Sequence, residues 1–243
     1  GLTVSLANSA INTGEAAGDV FISIEGLIGS DNDDTLIGDG GSNFIAGGLG
    51  ADAIDGGAGI DYAAYFRSSV GLTVNLANPA DNTGEAIGDT FTAIEGIRGS
   101  DFDDILIGDS GDNFLGGGSG GDVLDGGVGS DTAYYQLWTA QVGLVANLSD
   151  ASQNTGDAAD DIYISIENLW GSNFNDTLVG DENDNVLTGV DGDDILIGNG
   201  GADTLDGGDG TDTASYITSA SGLIADLQSP SENTGDATGD SYA

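Results

Sequence analysis

A glycine returns every nine residues through much of this chain, and the residues between the glycines keep their places. The frames begin at Gly29, Gly38, Gly47 and Gly56, then at Gly99, Gly108, Gly117 and Gly126, then at Gly171, Gly180, Gly189, Gly198 and Gly207. Position six of the frame is Asp or Asn in all 13 copies. Position eight is Leu36, Ile45, Ile54, Leu106, Leu115, Leu124, Leu178, Leu187, Leu196 or Leu205, and shrinks to Ala63, Ala133 or Ala214 in the last frame of each block. A single copy such as "GGLGADAID" is a turn and nothing more. Thirteen in register describe a stack.

Glycine or Asn at position four fits a backbone at positive φ. The residues around position eight form only a very short strand, with the aliphatic side chain inward. One turn and one short strand make half a coil, so two frames close a coil of 18 residues. Frames 18 residues apart then lie on the same edge. Position six stacks as Asp34 over Asp52, Asn43 over Asp61, Asp104 over Asp122 and Asn113 over Asp131. In the third block Asp176, Asp194 and Asp212 form one column, and Asn185 and Asp203 another. Carboxylates stacked in a dry turn repel, so a positive charge must sit between them. Carboxylate and carbonyl oxygens suit a hard cation, and flexible many-oxygen geometry favours calcium over magnesium. With no His and no Cys, a zinc site lacks its ligands. Adjacent same-edge pairs predict about seven calcium ions.

A longer period encloses the short one. "GLTVSLA" starts at Gly1, "GLTVNLA" at Gly71, "GLVANLS" at Gly143 and "GLIADLQ" at Gly222. Residues 1–70, 71–142 and 143–221 read as three repeat units, and 222–243 as the start of a fourth. The third carries one extra frame. Leu2, Val4 and Leu6 alternate with polar residues, as do Leu72, Val74 and Leu76, which reads as half-buried strand. These segments are expected to be wider coils of the same solenoid. Each also holds an "NTG" loop with paired acids: Glu15 with Asp19, Glu85 with Asp89, Asp157 with Asp161, and Asp236 with Asp240. They are candidates for further calcium. The chain stops at "SYA", where a fourth alternating segment would begin, so continuation past Ala243 is expected.

The formal charge of -40 excludes nucleic acid and anionic membrane as partners. No apolar run is long enough to span a bilayer. Without His, Cys or Lys no Ser-His-Asp triad or zinc-activated water can form, so the chain is read as non-enzymatic.

"GGLGADAID", "GGSGGDVLD" and "GNGGADTLD" resemble the nonapeptide of the repeats-in-toxin (RTX), or haemolysin-type, calcium-binding family. The resemblance implies an all-β fold: a right-handed parallel β-roll or β-solenoid, here interrupted by wider coils. It implies that calcium sits between turns of successive coils, held by position-six Asp and turn carbonyls. Asp34, Asp52, Asp61, Asp104, Asp122, Asp131, Asp176, Asp194, Asp203 and Asp212 are the ligands by that resemblance. Asn43, Asn113 and Asn185 depart from it, since an amide offers one oxygen and no charge, and weaker sites are expected there. "GSDNDD", "GSDFDD" and "GSNFND" lack the glycine at position four, and Phe102 and Phe174 adopt positive φ with difficulty, so the first turns are expected to open differently. The family is secreted by type I systems and folds outside the cell. The chain is therefore read as a calcium-dependent structural segment of a larger secreted or cell-surface bacterial protein, of adhesin, surface-layer or filament type, with a filament neighbour or homo-oligomer open. The alternative is a C-terminal folding and secretion module of an extracellular enzyme, such as a protease or polysaccharide-modifying enzyme.

Two further features carry expectations. The aromatic clusters Tyr62, Tyr65 and Phe66, then Tyr134, Tyr135, Leu137 and Trp138, then Tyr216 with Ile217, are expected to plug the roll where position eight is alanine. Ile28, Arg98 and Trp170 share one place before each block, and the arginine predicts a half-exposed position. Arg67 and Arg98, the two cationic side chains, are expected to pair with nearby carboxylates.

Overall fold

The computed structural model describes residues 1–136 and 142–243. Leu137 and Trp138 lie outside the described residues. Nearly every strand is three residues long, the length a nine-residue frame leaves once its turn is made. All pairings between strands are parallel. Within a block the partners are 18 residues apart, as Leu36 with Ile54 and Leu106 with Leu124 show. The chain is thus a parallel β-roll in which two frames close one coil.

The two edges of the roll differ. Along one runs a single ten-stranded sheet, from Gly26–Ile28 to Ser241–Tyr242. Its central ladder is Leu27, Ile45, Ala63, Ile97, Leu115, Ala133, Leu169, Leu187, Leu205 and Tyr242. Along the other edge lie three separate four-stranded sheets. A wide coil closes one and opens the next: Thr90–Thr92 pairs with Ala53–Asp55, while Thr73–Asn75 pairs with Ile105–Ile107. The wide coils are therefore part of the solenoid. Ile162–Ile164 likewise joins the interrupted edge, but the matching Ser241–Tyr242 joins the continuous one.

The core is one cluster between the edges, made of the position-eight side chains and inward residues of the wide coils such as Val74 and Ile97. Leu36, Ile45, Leu106, Leu115, Leu124, Leu178 and Leu187 are fully buried. The NTG loop holds the wide coil together. Its Asn accepts a bond from the opening strand (Asn82 Oδ1 from Asn75 N, 2.8 Å). Its Thr does the same (Thr83 Oγ1 from Thr73 N, 2.7 Å). Its Gly84 sits at φ +63, where a Cβ would strike Leu72.

The aromatic residues divide, and this corrects the expectation that all of them plug the roll. Tyr65 and Tyr135 are buried inside it. Phe44, Tyr62, Phe66, Phe114, Tyr134 and Trp170 form a contact chain of rings with centroids 5.7 to 6.4 Å apart. Alternation explains the split, since residues flanking position eight on a strand point outward. Ile217 is exposed. The Ile28, Arg98 and Trp170 position is not uniformly half exposed either: Ile28 is 58% exposed and Arg98 only 5%. Arg98 tolerates burial because its guanidinium lies over Phe44 and Phe66, 5.8 and 5.4 Å from the ring centroids.

Candidate metal centre

Position six forms the expected columns, and each step of a column is one hydrogen bond. The backbone N–H of a position-six residue donates to the carboxylate 18 residues later. Asp34 N reaches Asp52 Oδ1 at 2.8 Å, Asn43 N reaches Asp61 at 2.6 Å and Asp104 N reaches Asp122 at 2.8 Å. Asn113 with Asp131, Asp176 with Asp194, Asn185 with Asp203 and Asp194 with Asp212 repeat the bond at 2.7 to 3.0 Å. All 13 predicted residues therefore occupy equivalent places.

They are not chemically equivalent, because the turns are of two kinds. In the first two turns of each block, position two carries Ser or Asp. Ser30 N donates to Asp34 Oδ2 at 2.6 Å, and Leu2 N donates to Oδ1 at 2.8 Å, so both oxygens are satisfied. Asp104 and Asp176 have the same partners from Ser100 with Leu72 and from Ser172 with Leu144. In the second turns, Asp39 N, Asp109 N and Asp181 N donate to Asn43, Asn113 and Asn185 at 2.7 to 2.8 Å. Each amide nitrogen reaches a Glu carbonyl 18 residues back. Gly41, Gly111 and Asn183 at position four do not have the expected positive φ. Their N–H groups bond instead to the position-two carboxylates of Asp39, Asp109 and Asp181. Phe102 and Phe174 escape positive φ similarly, by donating to the hydroxyls of Ser100 and Ser172.

From the third turn onward the geometry changes. Positions two and four are both at positive φ, as in Gly48 and Gly50, Gly118 and Gly120, or Asn199 and Gly201. No side chain at position two closes the turn. Asp52, Asp61, Asp122, Asp131, Asp194 and Asp203 are each buried with Oδ2 lacking any hydrogen-bond partner. A buried carboxylate oxygen without a partner costs more than a kilocalorie per mole. Space meets these oxygens over the position-one glycines. A Cβ on Gly189 would collide with Asp194 Oδ2 and the Gly207 carbonyl, and one on Gly117 with Asp122 Oδ2. At Gly56 and Gly126 the wide coil supplies the carbonyl, from Ala93 and Ser165.

A family model of the RTX calcium-binding nonapeptide repeat, in four copies, matches residues 28–63, 98–133, 170–189 and 179–214. The nonapeptide blocks are RTX calcium-binding repeats. A search of curated proteins finds no match to the chain.

The residues of the RTX blocks fit the ion. Among the described residues no three acidic, His or Cys side chains cluster as a metal site, so carbonyls must complete any ligand set. Burial, with neighbouring Asp161 and Asp104, pushes the Asp122 carboxyl up to about 8. Burial likewise pushes Asp131, Asp194 and Asp203 up to about 6. A cation beside them would reverse that cost.

In the wide coils the columns end on carboxylates that accept from protein donors on both oxygens. Asp52 N donates to Asp89 Oδ1 at 2.8 Å, and the Tyr65 hydroxyl donates to Asp89 Oδ2 at 2.8 Å. Asp161 is held the same way by Asp122 N and Tyr135, and Asp240 by Asp203 N and Tyr216. Where an RTX turn leaves the second oxygen bare, tyrosine takes it here. Glu95 and Glu167 serve the other columns, accepting from Asp61 N and Asp131 N. Burial raises the Glu85 carboxyl while the charge of Arg67 lowers it, and Glu85 in turn adds to the raised Asp89 carboxyl. Glu15 and Asp19 are both exposed. The spacing of Asp89 from Asp52 hid its role, since the wide coil breaks the 18-residue step; the recurring tyrosine two residues past each alanine was the available signal.

Val190 is an outlier in this scheme. It holds a position-two φ of 88, which a β-branched residue adopts only under strain. Val190→Gly is expected to raise stability by about 1 kcal/mol, read from denaturant midpoints in saturating calcium.

Proposed function

We propose that the chain is a calcium-dependent structural β-solenoid segment of a larger secreted or cell-surface bacterial protein, of adhesin, surface-layer or filament type. The observation that carries this reading is the set of six position-six carboxylate oxygens buried without partners, at Asp52, Asp61, Asp122, Asp131, Asp194 and Asp203. These residues, with turn carbonyls, hold calcium; Asp34, Asp104, Asp176, Asp212 and the three asparagines shape the neighbouring turns. Bound calcium supplies charge neutralisation between coils and performs no reaction. Continuity of the ten-stranded sheet through every unit supports a load-bearing role. The described residues contain no helix long and apolar enough to cross a membrane.

Ion stoichiometry tests the assignment. Pairing of frames alone counts about seven ions, whereas the unpartnered position-six oxygens count six; Asp157 Oδ2, in the third NTG loop, is also buried without a partner. Gly117→Ala places a methyl on Asp122 Oδ2 and is expected to remove one ion while the rest bind. Unchanged stoichiometry would contradict the assignment.

Protons should partly stand in for calcium. A carboxyl whose folded pKa is raised binds more protons folded than unfolded, so stability falls as pH rises. In chelator, this contribution is full below about pH 4 and is lost as pH rises through about 6 for Asp131, Asp194 and Asp203 and about 8 for Asp122. Circular dichroism in chelator is expected to show more β-structure at about pH 4.5 than at about pH 8.5. The opposite order would contradict it.

A further inference from the structure

We propose that a groove on the outer face of the ten-stranded sheet binds the guanidinium of an arginine side chain presented by a basic partner segment. The groove is a cavity of about 580 Å³ at the junction of the second and third units, walled by Phe114, Trp170, Ile60 and Val186 and bordered by Glu95 and Asp112. It adjoins the calcium columns through Glu95, which accepts from Asp61 N, while its aromatic wall lies on the outer face of the sheet. Three observations select its occupant.

The first is a precedent inside the molecule. One unit earlier, Phe44 holds the place that Phe114 holds here, and the protein's own Arg98 lies over its ring at 5.8 Å. The fold thus already seats a guanidinium on this aromatic position. At the later junction Trp170 replaces Arg98 and packs edge-on to Phe114 at 6.1 Å, so the cation must come from outside.

The second is why space exists. In the first unit Tyr62 stacks on Phe44 at 5.9 Å, and its ring lies on Gly96, where no Cβ would fit. The corresponding residues here are Thr132 and Asn168, both lining the cavity. Exchange of a tyrosine for a threonine opens what the first unit fills.

The third is chemical. Two carboxylates beside aromatic faces attract a flat organic cation by charge and by ring quadrupole together. An anion would face Glu95, Asp112 and a chain of net charge -40. A metal ion would lack oxygen ligands on the aromatic side. Trp170 Nε1 is buried without a hydrogen-bond partner, and a peptide carbonyl next to the arginine supplies the acceptor it lacks.

The test is calorimetric titration of acetyl-Gly-Arg-Gly-amide into the full chain in saturating calcium, with circular dichroism confirming the fold. The citrulline and lysine peptides serve as comparisons. The arginine peptide is expected to bind one per chain, at least about tenfold tighter than citrulline, and more weakly as salt rises. Thr132→Tyr with Asn168→Gly copies the first unit's Tyr62 and Gly96 pair and is expected to abolish binding with the fold and calcium content unchanged. Asp112→Asn, on the exposed rim, is expected to weaken it about threefold or more. No binding by the arginine peptide, equal binding of citrulline or lysine, or full binding by the double variant would each overturn the proposal.

Discussion

Chelating calcium is expected to unravel the RTX blocks, with loss of most β-structure at neutral pH. Each coil offers one aliphatic side chain per edge to the core, such as Leu106 with Leu115. Against that stand columns of buried carboxylates, including six with an oxygen that nothing in the protein satisfies. With a formal charge of -40, repulsion is unopposed once the ions leave. Binding free energy is then folding free energy, and the transition should be steep in calcium and weak in magnesium. Far-ultraviolet circular dichroism during a calcium titration measures it. A chain that keeps its β-signal in chelator at pH 8 would remove calcium from the folding reaction.

Asp161→Ala is expected to destabilise the calcium-loaded protein by about 1–3 kcal/mol, because it strands the buried Asp122 N–H and leaves the Tyr135 hydroxyl only the Tyr163 hydroxyl as a partner. Asp161 accepts from Asp122 N at 2.9 Å and from the Tyr135 hydroxyl at 2.7 Å, and Tyr135 is fully buried. Water has no access with which to replace the carboxylate. Denaturant midpoints at saturating calcium give the size. Raising calcium further should not rescue the variant, which separates this clasp from the ion sites. A variant as stable as the parent would show that the wide coil is not held by the Asp161 clasp.

Much of the architecture is legible in the residues because it is periodic. Position eight names the core, and the nine-residue step names the coil. Position six names the columns, since a carboxylate one coil away can reach only the N–H below it. What escaped was decided by hydrogen bonds that no period announces. Ser30 and Asp39 at position two look like ordinary turn residues, yet they close their turns and leave Gly48 and Gly57 to form the open ones. Asp89 sits 37 residues from Asp52 instead of 18, so its place in the column depends on how a wide coil folds. Arg98 defied the expectation of exposure because its partners, Phe44 and Phe66, come together only across coils.

The fifth frame of the third block has a geometric effect beyond added length. Each frame is half a circuit of the roll, so parity decides which side the following wide coil faces. Four frames return the chain to its starting side, and Thr90–Thr92 and Ile162–Ile164 both close the interrupted edge. Five frames do not, and Ser241–Tyr242 closes the continuous edge. The loop at Asn233, Thr234 and Gly235 is therefore displayed half a revolution from its three predecessors. A single nine-residue insertion acts as a rotational switch in the layout of the surface, while the 18-residue step of the column bonds continues through it.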